Sequence, residues 1–171
     1  METSTQTKPA SKNGAVNTIL LAGLVAGTMD ITAALTQFYI KTSKDPMIVL
    51  RYVASAILGK TAATGGLPVA LFGLFLHYVI AFSFVIFYFF LSSKIRWLWK
   101  NPVPAGLCYG IFTWTVMNLI VVPVSRIGST PFDLSKAVVA ALILVCCIGM
   151  PTAIIVGKYY RREQASLYFQ A

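Results

Sequence analysis

Residues 67–91, LPVALFGLFLHYVIAFSFVIFYFFL, form one apolar run that decides the fold. An α-helix needs about 20 apolar residues to cross the hydrocarbon core of a bilayer, and this run is long enough. Gly65-Gly66 precedes the run and Ser92-Ser93-Lys94 follows it, so both of its ends are marked. We therefore predict a membrane-spanning helix over Leu67–Leu91.

The composition of the whole chain indicates the same class of protein. Of its 171 residues, 57% are hydrophobic and only 11% are charged, whereas about a quarter of the residues in a typical soluble domain carry a charge. Three more apolar runs of spanning length occur, at Thr18–Ile40, Val103–Val124 and Leu134–Val156. The sequence therefore predicts an all-α, polytopic helical membrane protein, with four transmembrane helices in a single domain at residues 18–158.

A shorter apolar segment separates the first and second predicted spans. Residues 46–59, PMIVLRYVASAILG, form about four helical turns, which is too short to cross a hydrocarbon core of about 30 Å. Arg51, Ser55 and Gly59 recur on one side of this helix, and the other sides are apolar. We predict a short interfacial or re-entrant helix that packs on the bundle near one membrane face.

The two ends of the chain are polar. Residues 1–17 are rich in Thr, Ser and Lys and are predicted to form a disordered tail. Residues 159–171 form a basic end, and its LYFQ sequence at 167–170 is typical of a protease site left by an expression tag. With four spans, both termini lie on the same side as the basic loop 94–100. More Lys and Arg residues fall on that side, so the positive-inside rule predicts that both termini are cytoplasmic.

Small residues follow a helical spacing in three of the predicted spans. Residues at spacings of three and four lie on one helical face, and small side chains on such a face let two membrane helices approach closely. The predicted packing glycines are Gly23 and Gly27 in the first span, Gly73 in the second, and Gly106 and Gly110 in the third.

Polar residues lie on or beside the same faces. Asp30 lies near the midpoint of the first span, where an ionised carboxylate that faces lipid costs several kcal/mol, so it must face protein or water. His77, the only histidine of the chain, lies at a similar depth in the second span. We predict a central polar site formed by Asp30, Gln37, His77 and Asn118.

Three interpretations of this site are open from the sequence. In the first, the polar side chains satisfy one another and fix the helix register. In the second, the histidine and the carboxylate form a pair that titrates near neutral pH and couples to protons. In the third they bind a metal ion, but one histidine and one aspartate fall short of ordinary ligand sets, so no metal site is predicted.

Basic residues are expected to converge at the membrane face opposite the termini. Arg51 on the short helix, Arg126 after the third span and Lys136 at the start of the fourth outnumber the acids Asp45 and Asp133 there. Such a group can hold a lipid phosphate or another anion. The alternative is that these side chains are solvated or extend to the membrane surface.

Enzyme motifs are missing from the sequence. It contains no nucleophile, phosphate-binding or dinucleotide pattern, so we do not predict catalysis and expect no cofactor. An enzyme that acts on lipid and grips the headgroup with Arg51 and Arg126 is the alternative left open. The net charge of +9 comes from clusters that flank apolar runs, so it indicates membrane topology and not nucleic-acid binding. The expected partners are membrane lipid and either a second copy of the chain, giving a homo-oligomer, or a larger membrane complex.

Three stretches of the chain resemble a family of small bacterial four-helix inner-membrane proteins whose function is unknown. They are AGLVAGTMD at 22–30, GGLPVALFGLFLHY at 65–78 and AGLCYGIFTWTVMNLIVVPVSR at 105–126, and the similarity extends over about Ala22–Lys158. The resemblance implies a four-helix protein of the bacterial inner membrane. The recurrent polar positions of the family correspond here to Asp30, His77, Asn118 and Arg126.

The residues favour a small transporter or channel-like protein with Asp30 and His77 at its central site. One alternative is an accessory or assembly subunit that uses Trp97, Trp99 and the small-residue faces to dock a larger membrane complex. A further alternative is a lipid-binding membrane protein that holds a headgroup with its basic residues.

Overall fold

The computed structural model describes residues 12–127 and 133–168, and every regular element within them is helical. The α-helices are α1 (Lys12–Thr42), α2 (Met47–Leu58), α3 (Leu67–Lys94), α4 (Arg96–Lys100), α5 (Pro102–Val116), α6 (Val122–Val124), α7 (Leu134–Leu144) and α8 (Met150–Tyr168). A 3₁₀ segment covers Gly59–Thr64, and π-helical segments cover Met117–Val121 and Val145–Gly149. The predicted all-α class is confirmed for these residues.

The number of helices long enough to cross a bilayer differs from the prediction. Within the described residues, five segments are long and apolar enough to cross a bilayer. They are Asn13–Thr42, Met47–Thr64, Leu67–Lys94, Pro102–Val124 (the α5–α6 span) and Leu134–Ser166 (the α7–α8 span). By this measure there is one more candidate span than the four that were predicted. The fifth segment arises because the 3₁₀ segment continues α2 beyond Gly59, where the sequence predicted that the helix ends.

Two predicted boundaries lie elsewhere in the structure. α1 begins at Lys12, so residues 12–17, which were expected in the polar tail, are helical. α8 continues to Tyr168, through the basic end that was expected to follow the last span. The remainder of the predicted tail, residues 1–11, and the last residues, 169–171, lie outside the described residues.

α1 and α3 pack side by side in opposite directions. A Cβ atom placed on Gly23 would collide with the ring of Phe82, and one placed on Gly27 would lie 2.9 Å from the ring of Tyr78. The contacting residues of α3 have falling numbers as those of α1 rise, which defines an antiparallel pair. The small residues of α1 thus allow aromatic rings of α3 to lie directly against its backbone.

The α5–α6 span packs against the α7–α8 span through glycines. A Cβ atom on Gly149 would collide with the carbonyl oxygen of Gly106, and one on Gly110 would collide with the backbone of Val145. Since main-chain atoms cannot turn aside as a flexible side chain can, nothing larger than glycine fits at these contacts. Val145 and Gly149 are the two ends of the π segment in the α7–α8 span.

α2 packs across the first turns of α3. A Cβ atom on Gly73 would collide with the backbone carbonyl group of Leu50. Leu50 is buried in a small cluster with Ile31 of α1 and Ala70 of α3, and Met47 packs at its edge. α2 therefore lies against both long helices, at the end of the bundle where α1 ends and α3 begins.

The two ends of the bundle are packed differently. The end that holds Lys12 and Tyr168 contains the larger core, in which the rings of Tyr88 and Tyr109 meet edge to face with centroids 4.6 Å apart. The hydroxyl group of Tyr109 donates to the carbonyl oxygen of Phe84 at 2.6 Å. The other buried members of this core are Ala22, Val85, Phe89, Leu98, Ala105, Ala153 and Val156. We call this the packed end, and the opposite end, which holds α2, the grooved end.

Candidate functional site

Asp30 and His77 face each other between α1 and α3. Nδ1 of His77 lies 4.0 Å from Oδ2 of Asp30, and the two side chains are only 11% and 16% exposed respectively. At 1.5 Å per residue, Asp30 lies about 15 Å before Ile40 and His77 about 15 Å after Leu67. The pair is therefore held inside the bundle, well within two long apolar helices.

The imidazole ring of His77 has a defined orientation. Its Nε2 atom lies 2.9 Å from the carbonyl oxygen of Gly27, and because a carbonyl oxygen only accepts, Nε2 must carry a hydrogen. Nδ1 is then the nitrogen that faces Asp30. A neutral ring of this tautomer would present a lone pair to the carboxylate, so the arrangement is favourable only when one more proton resides on Nδ1 or on the carboxyl group. At 4.0 Å the interaction is electrostatic, since this distance exceeds that of a hydrogen bond.

Other polar groups surround the pair. The Tyr78 hydroxyl lies 2.8 Å from Oγ1 of Thr28, and the Tyr78 ring meets the imidazole edge to face with centroids 5.6 Å apart. In the part of the chain that the structure describes, His77 is the one basic side chain within ion-pair distance of Asp30.

A groove on the outer side of α1, the α1 groove, leads from the level of the pair towards the grooved end. It encloses about 680 Å³ between α1 and the α7–α8 span. Its wall on α1 extends from Thr28 to Lys41 and includes Gln37, and Cys147 lies on the opposite wall. The distance from Thr28 to Lys41 along the helix is about 20 Å, so the groove connects the middle of the bundle with one of its ends.

The structure separates the two amides from the predicted central site. Gln37 lines the α1 groove about two helical turns beyond Asp30. Asn118 is exposed, and its Nδ2 donates to the carbonyl oxygen of Trp114 on its own helix at 2.9 Å. Of the four residues predicted for this site, only Asp30 and His77 are brought together.

Arg51, Lys60 and Arg126 line a second groove, which we call the basic groove. It encloses about 500 Å³ at the grooved end and is bordered by Tyr52 and Ser55 of α2. The predicted convergence of Arg51 and Arg126 at this face is thus present in the structure. Lys60 was not predicted to join them, because its neighbour Gly59 was taken as the end of the short helix.

Backbone contacts fix the position of Arg126 in the basic groove. Its N–H donates to the carbonyl oxygen of Ala56 at 3.0 Å, and a carbonyl in the last turn of a helix has no partner within that helix. α2 ends at Gly59 with a φ of +70°, a conformation that favours glycine. The side-chain stem of Arg126 lies against this turn, 3.7 Å from where a Cβ atom of Gly59 would be.

Lys136 does not line the basic groove. Its Nζ lies 3.2 Å from Oδ2 of Asp133, at the start of α7. Asp133 also accepts a hydrogen bond from the backbone N–H of Lys136, and this bond holds the pKa of Asp133 below its usual value. The carboxylate therefore caps the helix and pairs with Lys136. The basic group at this face consists of Arg51, Arg126 and Lys60, without the predicted Lys136.

The two tryptophans proposed for docking a partner differ in exposure. Trp99 is 7% exposed, and its carbonyl oxygen accepts a hydrogen bond from Nη1 of Arg161 at 2.5 Å. Trp97 is 45% exposed. Only Trp97 presents its side chain at the surface of this chain.

No group of three or more His, Cys, Asp or Glu side chains that could hold a metal ion occurs in residues 12–127 and 133–168. No family model, no curated protein and no solved structure matches the chain. A function for it therefore has to be inferred from its own side chains.

Proposed function

We propose that the chain is an integral membrane protein in which four helices cross the bilayer: α1, α3, the α5–α6 span and the α7–α8 span. Large apolar side chains face outward along these helices, for example Phe75, Phe90 and Leu119, which are 62%, 64% and 66% exposed. Apolar patches of this extent are unusual on a monomer in water and suit contact with lipid acyl chains. Helices also satisfy their backbone polar groups internally, as a hydrocarbon environment requires.

We place Met47–Thr64 at one membrane surface and not across the bilayer. The antiparallel packing of α1 and α3 supports this placement, because it brings Ile40 near the end of α1 level with Leu67 at the start of α3. The segment between them begins and ends at the same end of the bundle. A crossing helix would have to end at the opposite surface.

Both termini then lie on one side, together with α4. We propose that this is the cytoplasmic side of the bacterial inner membrane. The orientation is supported by the Lys and Arg residues that flank the spans on that side: Lys94, Arg96, Lys100, Lys158, Arg161 and Arg162.

The topology can be tested by labelling single cysteines in sealed vesicles, after the three native cysteines are replaced by alanine. Cysteines at positions 43 and 64, in place of Ser43 and Thr64, are expected to react with an impermeant maleimide from the same side. A cysteine in place of Ser93 is expected to react only from the other side. Labelling of positions 43 and 64 from opposite sides would show that Met47–Thr64 crosses the membrane.

We propose that Asp30 and His77 form a protonatable site in a small transporter or channel-like protein. The observation that carries this proposal is the orientation of His77, whose Nε2 bonds to Gly27 so that Nδ1 faces the carboxyl group. Ionisable residues within membrane spans are costly and therefore rare, and those that occur mark ion and proton pathways. Histidine as a side-chain type titrates in the physiological range.

The packing differs between the two sides of the pair. The α1 groove extends from the level of Asp30 to the grooved end. Towards the packed end, buried aromatic side chains such as Tyr88 and Tyr109 fill the interior. Neither Asp30 nor His77 lines the α1 groove. We therefore propose that the groove has to widen before water reaches the pair, and that water then enters from the side opposite the termini.

Proton movement tests this function directly. Vesicles that contain the purified protein and a trapped pH-sensitive dye are expected to equilibrate an imposed pH step faster than protein-free vesicles of the same lipid. The membrane potential is set to zero with potassium and valinomycin, so that charge movement does not limit the rate. Equal rates in the two preparations over pH 5–8, where histidine changes charge, would contradict the proposal.

An accessory role in a larger membrane complex is the second candidate, and the exposure of Trp97 favours it. Trp97 lies at the packed end beside Trp99, which is buried in the chain's own bundle. Mild solubilisation followed by affinity purification tests this candidate. A stoichiometric membrane partner that is lost in Trp97→Ala would support it, and recovery of the chain alone would contradict it.

A further inference from the structure

We propose that the basic groove binds the phosphate group of an anionic phospholipid. This inference rests on the proposed membrane topology but not on the protonatable pair, which lies on other helices. The groove is defined by Arg51, Lys60 and Arg126. A phospholipid headgroup and a free phosphate ion would both offer a phosphate to the groove. The structure favours the phospholipid.

The charges of the groove favour an anion. Of its three cationic side chains only that of Arg51 is paired, with Asp45, whose Oδ2 lies 2.9 Å from Nη2 of Arg51 in the part of the chain that the structure describes. Among the described residues, neither Lys60 nor Arg126 forms an ion pair. The groove therefore holds an excess of positive charge that its own acids do not neutralise, and a guanidinium group matches the geometry of a phosphate.

One cationic side chain and the backbone of a second are positioned before any ligand binds. The Arg126 backbone is attached to the last turn of α2 through the carbonyl oxygen of Ala56. Asp45 holds the Arg51 side chain, which is 24% exposed. Since the Arg51 side chain is held and the Arg126 backbone is fixed beside it, binding a phosphate requires less ordering than at three free side chains.

The apolar walls of the groove favour an amphiphile over a free anion. Ile48, Tyr52, Ala63 and Ile127 line it together with the cations. Ile48 and Tyr52 of α2 are 39% and 47% exposed, so this apolar wall is accessible from outside the bundle. A phospholipid can place its phosphate against the cations and its glycerol and first acyl carbons against these walls, at the depth where a surface helix lies.

The test uses the full chain in detergent and two soluble short-chain lipids, dihexanoyl phosphatidylglycerol and dihexanoyl phosphatidylcholine. Phosphatidylglycerol carries a net negative charge, whereas phosphatidylcholine is neutral overall. Phosphatidylglycerol is therefore expected to raise the thermal unfolding temperature of the protein more than phosphatidylcholine does. Removing two charges in the double variant Lys60→Gln, Arg126→Gln is expected to weaken phosphatidylglycerol binding by at least about tenfold. The double variant should fold, because the bond to Ala56 comes from the backbone of Arg126.

Lys136→Gln is the matched control, since it removes a cation from the same end of the molecule but outside the basic groove. It is expected to leave the preference for phosphatidylglycerol unchanged. Equal binding of the two lipids, or an equal loss in Lys136→Gln and the double variant, would overturn the proposal. Inorganic phosphate is tested at the same concentration. If it raises the unfolding temperature as much as phosphatidylglycerol does, the groove binds a free anion and the lipid assignment is overturned. If the double variant does not fold, the single variant Lys60→Gln is used instead, because the Lys60 side chain is exposed. It is also expected to weaken phosphatidylglycerol binding.

Discussion

Asp30→Asn is expected to fold at least as stably as the unchanged protein and to reduce pH equilibration to the rate of protein-free vesicles. Asparagine has nearly the size of aspartate, and its amide N–H can donate to the lone pair on Nδ1 of His77. The substitution removes the cost of placing a carboxylate in a medium of low dielectric constant, so the free energy of unfolding is expected to stay constant or rise. It also removes the carboxyl group that takes up or releases the proton, so any dependence of the rate on pH is lost.

Two further variants separate this effect from a general disturbance of the bundle. His77→Gln can keep a hydrogen bond to the Gly27 carbonyl through its amide N–H but cannot titrate, and it is expected to behave like Asp30→Asn. Asn118→Ala changes an exposed amide that is bonded only to its own helix, and it is expected to leave the pH response intact. Thermal unfolding and elution from a sizing column establish that each variant is folded. An Asp30→Asn protein that folds and keeps the full pH dependence would rule out a role for this carboxyl group in proton coupling.

Gly149→Ala is expected to cause a large loss of stability. The new Cβ atom would collide with the carbonyl oxygen of Gly106 and would lie 2.8 Å from the backbone nitrogen of Gly110. Because these are main-chain atoms of a neighbouring helix, the two spans have to separate. Overpacking of this kind costs about 1–3 kcal/mol and sometimes more, so we expect a loss of about 3 kcal/mol.

Gly66→Ala is the matched control for this prediction. Gly66 has an ordinary negative φ of −80°, and the nearest atom to its new Cβ would be Cδ of Pro68 at 3.7 Å. Its stability is expected to change by less than about 1 kcal/mol, as is usual for a surface substitution. Thermal unfolding of both variants in the same detergent compares them. Similar unfolding temperatures for Gly149→Ala and the unchanged protein would show that the two spans do not meet closely at this glycine.

Periodicity predicts contacts well where a helix is uninterrupted. The spacing of Gly23, Gly27 and Asp30 on α1 placed these residues on one face, and in the structure that face lies against Phe82, Tyr78 and His77 of α3. Both α1 and α3 are continuous α-helices, so steps of three and four residues stay on the same side. The pairing of Asp30 with His77 could therefore be predicted from the sequence.

The same periodicity fails where the helix geometry changes. Asn118 lies in the π segment Met117–Val121, whose wider turn shifts the following side chains relative to an α-helix. Cys147 lies in the other π segment and was taken as a packing residue, whereas in the structure it lines the α1 groove. Lys60 was missed because a glycine with positive φ ends α2, yet a 3₁₀ segment carries the chain onward along the groove. Such local changes of helix type depend on tertiary packing and leave no clear pattern in one sequence.

The unequal packing of the two ends also predicts that they differ in mobility. Amide hydrogens close to Tyr88, Tyr109 and Val156, which are buried in the large core, are expected to exchange with solvent most slowly. Those of α2 and of the neighbouring end of α1 are expected to exchange sooner, since only a small cluster around Leu50 holds them. The helices can then pivot about the aromatic core as about a hinge, so that widening of the α1 groove requires no unfolding of the end that carries the termini.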